Sequence, residues 1–432
     1  MVLRRYTYVP LFVCLLFIGI IGCEESSDQG TGALEVIKPI HTQTNESAKG
    51  NKDAENQPNT KTEPPEIDPA LEMLSELSLE EKVGQLVIVG MEGTSVDSYT
   101  QKLINNYHVG GFIFFKDNIA STTQAVNLFN HLKKENATNP VPLWMSIDEE
   151  GGRVSRMPES FLRLPASGVV GKKNDTALTY KMGSQIGQRL SGFGLNMAFA
   201  PVLDVNSNPN NPVIGDRSFG SNAAQVARLG TAAMKGIQEA GVVAAVKHFP
   251  GHGDTVVDSH VGLPVVNVDM NRLNKLELVP FKEAIDQGAD VVMVAHLLMS
   301  KIDPKTPASY SKPIITGLLR EQLGYKGVVI TDDMTMGAVD NGKIELGEIA
   351  IRSVLAGSNI VLVGHEYDKE ETVVKALLKA VKSKRITEKV LDERVLPILR
   401  LKMKYSIKDT FVKEPDVKLL NKNAQKLINS VK

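Results

Sequence analysis

The stretch Val328-Val329-Ile330-Thr331-Asp332-Asp333-Met334 decides how this 432-residue chain is read: an apolar, β-branched run breaks off in two carboxylates. A run that is apolar at every position, rather than alternating, is what a strand covered on both faces requires. Seven more runs of this kind accompany the one at 327–332, namely 83–90, 109–115, 142–148, 196–204, 242–249, 289–296 and 358–364. Longer amphipathic stretches lie between them, the pattern of parallel strands joined by helical crossovers. Eight such units across residues 67–405 predict an α/β fold, a single (β/α)8 TIM-type barrel, with an open doubly wound sheet as the competing architecture.

Most of the runs end in polar or glycine-rich clusters: Asp148-Glu149-Glu150-Gly151-Gly152-Arg153, Asp204-Val205-Asn206, Lys247 to Asp254, His296, and Thr331-Asp332-Asp333-Met334. Chemistry at strand C-termini is characteristic of such barrels. The pair Gly151-Gly152 fits a sharp turn, and no phosphate-cradling glycine spacing follows it.

Outward from the barrel, the N-terminus carries its own information. Basic residues up to Arg5, an apolar run over 9–21 and the ending Ile20-Ile21-Gly22-Cys23 describe a secretory signal peptide over 1–22 with a bacterial lipobox, Cys23 becoming the lipidated first residue. An uncleaved anchor helix is the alternative, and both place the domain outside the cytoplasm, at a bacterial cell membrane. Residues 23–66 are rich in Ser, Thr, Asn, Gly, Lys and Glu and read as a disordered tether. About 40 such residues span roughly 35 Å as a flexible chain, enough to lift a domain off a bilayer. The other end, 406–432, alternates Lys with Leu, Val and Ile and reads as a helical tail that packs on the surface.

Cys14 and Cys23 are the only cysteines, so the mature domain has no thiol for a disulfide or a zinc thiolate site. The net charge of -1 shows no basic excess, which removes nucleic acid as an expected partner. The chain is expected to be a monomer without a metal or cofactor.

Two places concentrate titratable groups. Lys247, His248, His252, Asp254, Asp258 and His260 crowd the segment after the fifth run, where Pro250, Gly251 and Gly253 imply an unusual backbone path. Asp258 beside His260 can fix a tautomer and stabilise the imidazolium, giving a group that both donates and retrieves a proton. At the seventh strand end, Asp332 can attack an anomeric carbon, bind a metal or cap a helix, and Asp333 is the natural capping candidate. Asp148, Arg156 and Arg217 are further groups able to hold a polyhydroxylated ligand.

The ordered set Asp148 to Val154, Ala200-Pro201-Val202-Leu203-Asp204-Val205, Arg217-Ser218-Phe219, Lys247 to Gly253, Asp258-Ser259-His260 and Thr331-Asp332-Asp333-Met334 resembles family-3 glycoside hydrolases, in their bacterial β-N-acetylglucosaminidase branch. The resemblance runs from about Leu77 to Leu401. It implies retaining hydrolysis of terminal β-linked N-acetylglucosamine from cell-wall glycans, with Asp332 forming a covalent glycosyl intermediate. It also implies an Asp258-His260 dyad in place of the usual second carboxyl group. Asp148, Arg156, Arg217, Lys247 and His248 would then grip the sugar. Glu149 departs from the Gln often found there, and the C-terminal domain of some relatives has no counterpart.

Three other readings stand beside this one. His248, His252, Asp254, His260 and His296 are ligand types for a metal-dependent barrel hydrolase. A family-3 phosphorylase or β-glucosidase would use the same strand ends, and a non-catalytic sugar-binding lipoprotein would share the anchor.

Overall fold

The computed structural model describes residues 68–255, 258–259, 262–340 and 342–432. The proposed leader, Cys23, the tether and His260 lie outside the described residues.

Eight strands form the ring: β1 Val87–Val89, β2 Gly111–Phe114, β3 Trp144–Ile147, β4 Met197–Ala198, β5 Val243–Phe249, β6 Val291–Val294, β7 Val328–Asp333 and β8 Ile360–Val363. Neighbours in sequence are neighbours in space, every pair is parallel, and β8 returns to β1 through Val87↔Val361, Ile88↔Leu362 and Val89↔Val363. The closed (β/α)8 barrel expected from the runs is therefore present, and the open sheet is not. Strands β1, β2, β3, β5, β6 and β8 are buried at every position, because inward side chains fill the ring and outward ones meet helices.

Two strands differ from their sequence runs for local reasons. Residues 83–85 belong to the helix Leu79–Gln85, which starts at a reciprocal capping box between Ser78 and Glu81, so β1 begins only at Val87. The run at 196–204 supplies just the two residues of β4; beyond them the chain stays buried as far as Asp204 and keeps one parallel bridge to β5, Val202↔Lys247.

Three of the crossover helices start at side-chain caps. Ser121 caps Thr122–Glu135, Asp175 caps Thr176–Phe193 and Asn222 caps Ala223–Glu239, each accepting from a first-turn N–H. At the N-terminal end of the barrel the helix Glu388–Lys404 packs against the strand starts. Lys402 there is buried, and its ammonium donates to Gln85 Oε1 (2.8 Å), Gly110 O (3.1 Å) and Pro142 O (2.6 Å) beneath the Trp144 ring. The tail carries the helix Val417–Val431, which buries Ala424 and Leu427 against Thr176–Phe193.

Two ladders each hold one extra residue. Val246 pairs with Val292 but Phe249 with Val294, and Ile330 pairs with Ile360 but Asp333 with Leu362. The surplus falls at Lys247-His248 on β5 and at Thr331-Asp332 on β7. A bulge of this kind re-aims side chains, which is why it recurs beside active sites.

Candidate active site

A cavity of about 300 Å³ opens among the C-terminal ends of the strands. Asp148, Arg156, Arg217, Lys247, His248 and Asp332 all line it, joined by Asp333, His252, Ser259, Phe115, Met336 and His365. The bulges explain two of these pairings. Consecutive residues of a regular strand face opposite sides, yet Lys247 and His248 share this cavity, as do Asp332 and Asp333.

One wall is a chain of ions. The buried Lys247 ammonium sits between Asp148 and Glu150, 2.7 Å from Glu150 Oε1. Glu150 in turn receives both Nε and Nη2 of Arg217 at 2.8 Å. Burial disfavours the charge on each of these groups, but mutual attraction prevails: Glu150 is held below its ordinary pKa, and Lys247 and Arg217 above theirs. Beyond Arg217, Nη2 meets His248 Nε2 at 3.3 Å, while His248 Nδ1 lies 2.6 Å from Asp204 Oδ2. Arginine has only donors, so Nε2 accepts and Nδ1 carries the proton given to Asp204. Asp204 is fully buried, and burial pushes its pKa up; the His248 ring and the backbone N–H of His252 pull harder in the other direction.

Asp332 faces this wall from β7. Its Oδ1 accepts the Asp333 N–H at 2.9 Å. Burial raises its pKa, but the His296 and His248 rings, that N–H and Lys247 bring it below the usual carboxylate value, so it is ionised at neutral pH. An ionised carboxylate held at the strand end is what nucleophilic attack needs. Asp333 does not cap a helix as expected, because a turn follows it and the next helix starts at Leu346. It caps that turn instead, accepting from Thr335 N (3.0 Å) and Gly364 N (2.8 Å), while its carbonyl meets His296 Nε2 at 2.8 Å. A Cβ on Gly364 would stand 2.5 Å from Asp333 Oδ2 and 2.9 Å from Phe115 Cζ, so a larger residue there would have to displace Asp333 or Phe115.

Arg156 reaches the cavity from the loop that follows β3, past the tight turn at Gly151-Gly152, whose φ angles are 81° and 55°. Glu149 anchors that loop from below, accepting from Arg156 N (3.0 Å) and Ser155 Oγ (3.1 Å). Nε of Arg156 is buried and has no hydrogen-bond partner within the protein. Asp258 is described but is not among the cavity-lining residues; its neighbour Ser259 is. Two of the histidines of the metal reading use a ring nitrogen on a hydroxyl: His252 Nδ1 lies 2.7 Å from Thr255 Oγ1 and His296 Nδ1 2.6 Å from Ser309 Oγ. Among the described residues no three His, Cys, Asp or Glu side chains converge as a metal site.

Glu150 and Asp204 stand in the quoted motifs but were given no role from sequence. Their signal was position, immediately past strands rich in apolar residues; what they hold emerges only in three dimensions. His365, after β8, was not singled out at all. It stacks on Phe115 with ring centroids 4.3 Å apart and lies 3.8 Å from Asp333 Oδ2.

A closed barrel with an ionised carboxylate and an ion-paired polar wall at its strand C-termini has the layout of a barrel enzyme's active site. The chain belongs to glycosyl hydrolase family 3, since residues 78–401 match the family's N-terminal domain. The chain is 36% identical over 335 residues to β-hexosaminidase A of Pseudoalteromonas piscicida, a match covering 72% of this chain and 56% of that longer protein. A β-hexosaminidase of Nitrosomonas eutropha is 34% identical over 298 residues, covering 67% of this chain and 84% of that one. Among solved structures, a glycoside hydrolase family 3 β-N-acetylglucosaminidase from Paenibacillus sp. superposes with a TM-score of 0.77 at 43% identity, over 81% of this chain and 68% of the other. The family resemblance and the glycoside hydrolase class both hold.

Proposed function

We propose that this chain is a retaining, exo-acting β-N-acetylglucosaminidase that removes terminal β-linked N-acetylglucosamine from cell-wall, peptidoglycan-derived glycans. The observation that carries the reading is the ionised Asp332 facing the Asp148–Lys247–Glu150–Arg217–His248 wall across one cavity. The cavity's volume suits one sugar residue rather than a chain, which favours attack on a terminal unit. The names of the relatives supply the N-acetyl specificity.

In the first step the Asp332 carboxylate attacks the anomeric carbon, the glycosidic C–O bond breaks, and the departing oxygen takes a proton from His260, supported by Asp258. In the second, His260 takes a proton from water, the water oxygen adds to the same carbon, and Asp332 is released. Two inversions give net retention. Asp148, Arg156, Arg217, Lys247 and His248 hold the sugar hydroxyls through both steps. The leader and tether read from sequence fit an enzyme anchored through Cys23 outside the cytoplasm, working on the wall as a monomer.

The test uses an aryl β-N-acetylglucosaminide. The first product anomer seen by NMR is β, and a 2-deoxy-2-fluoro or 5-fluoro sugar labels Asp332 in the digested protein. Label on Asp333 would move the nucleophile; inversion, or sugar 1-phosphate formed with phosphate present, would replace the mechanism. Product analysis on purified wall fragments then tests the substrate.

A further inference from the structure

The buried His252 has no role in the chemistry above, yet it links the sugar-binding wall to the segment bearing Asp258. Its backbone N–H donates to Asp204 Oδ1 at 2.6 Å, and the other oxygen of that carboxylate takes the His248 Nδ1 proton. Its side chain points to the opposite partner. Nδ1 is 2.7 Å from Thr255 Oγ1, whose own proton goes to the His252 carbonyl at 3.1 Å and which also accepts from Asn211 Nδ2 at 3.3 Å. Thr255 has one hydroxyl proton and has used it, so Nδ1 is the donor and Nε2 keeps its lone pair. That lone pair faces Ser259 Oγ at 3.3 Å, and Ser259, itself 2% exposed, is further held by Ala338 N–H on its carbonyl at 3.1 Å. Ser259 stands in sequence between Asp258 and His260.

We infer that His252 is a positioning residue that, through Ser259, holds the Asp258-Ser259 part of the proposed acid/base segment beside the sugar-binding wall. The inference rests on the proposed mechanism. One carboxylate, Asp204, orients both a sugar-facing imidazole and the root of this segment, so the two halves of the site are registered to a common point. Burial lowers the pKa of His252, with His248 adding to the effect, and so keeps the ring in the neutral form that can accept from Ser259.

The test compares two aryl β-N-acetylglucosaminides, one with 2,4-dinitrophenol as leaving group and one with phenol. Phenolate needs protonation to depart and dinitrophenolate does not, so a displaced acid slows only the first. His252→Gln should lower kcat/KM about 100-fold for the phenyl substrate and less than about 3-fold for the dinitrophenyl one. Ser259→Ala should show the same split at about 10-fold, and Ser259→Thr, which restores the hydroxyl, should return most of it. Azide, which needs no general base, should raise turnover of the dinitrophenyl substrate by His252→Gln and release a β-glycosyl azide. Equal losses on both substrates, or a split in Ser259→Ala that Ser259→Thr does not reverse, would overturn the positioning role. A wild-type enzyme inactive on both substrates would remove the proposed activity, and this inference with it.

Discussion

Two buried lysines sit at opposite ends of one barrel and meet opposite fates. Lys247, at the mouth, is flanked by Asp148 and Glu150, and despite burial its ammonium is held above its ordinary pKa. Lys402, at the base, finds only two carbonyls, one amide oxygen and the face of Trp144, and burial brings its pKa down to about 7 against the pull of Asp409. Neutral dipoles satisfy the geometry of an ammonium without matching its charge. The mouth is built from full charges because a polar ligand must be held there; the base needs only to be closed.

The comparison can be broken at the mouth first. Asp332→Ala should cut kcat by about 10⁴-fold or more while the variant still unfolds cooperatively, with only the modest loss of stability expected on removing a carboxylate whose pKa the fold lowers. A variant that unfolds instead would make Asp332 structural. Lys247→Met strips Asp148 of its cation and leaves Glu150 with Arg217 alone, so denaturant titration should show a loss of about 3–5 kcal/mol, along with a fall of about 100-fold or more in kcat/KM. Lys402→Met should cost about 1–3 kcal/mol through two acceptors left without a donor, Gln85 Oε1 and Pro142 O, since Gly110 O keeps the Trp144 N–H, with kcat/KM unchanged. It should also flatten a pH dependence. The folded pKa of Lys402 lies below the unfolded one, so between about pH 7 and 10.5 the unfolded chain binds more protons and wild-type stability rises with pH; the variant should lack that rise.

A smaller effect sharpens the same contrast with an acid. Glu370 is buried near Asp333, accepts the Gly90 N–H at 3.0 Å, and burial raises its pKa to about 9. The folded state therefore binds more protons than the unfolded one between pH 4.5 and 9, and stability declines across that window. Glu370→Gln keeps an acceptor for Gly90 and removes the charging step. Its stability should exceed wild type by about 1–3 kcal/mol at pH 7 and converge with it near pH 4.5. No convergence at low pH would place the effect elsewhere.

Much of the fold was legible because a doubly covered parallel strand is almost continuously apolar: β2, β6 and β8 carry no polar side chain, β3 departs only at Ser146 and β5 only at Lys247-His248. Residue 83 was misread because Val83 is equally apolar in a helix face; the Ser78/Glu81 capping box was the available warning. Asp148, Lys247, His248 and Asp332 were legible as polar groups at the ends of apolar runs, and Arg156 and Arg217 as loop arginines given a role by the family resemblance; the structure brings all six to one cavity. Glu150 and Asp204 were not, since a carboxylate that steadies a cation and one that grips a ligand are identical letters. Their partners, Arg217 and His248, lie 67 and 44 residues away in the chain.

The two bulges have a consequence for how the site can change. A strand counts in twos, and one surplus residue on β5 and one on β7 shifts the parity of everything after it. Deleting a residue at 247–248 or 331–332 would restore a regular ladder and turn half of the paired functional side chains outward. Point substitution can alter what the cavity recognises, but the number of strand-borne groups it presents is written in the length of two strands.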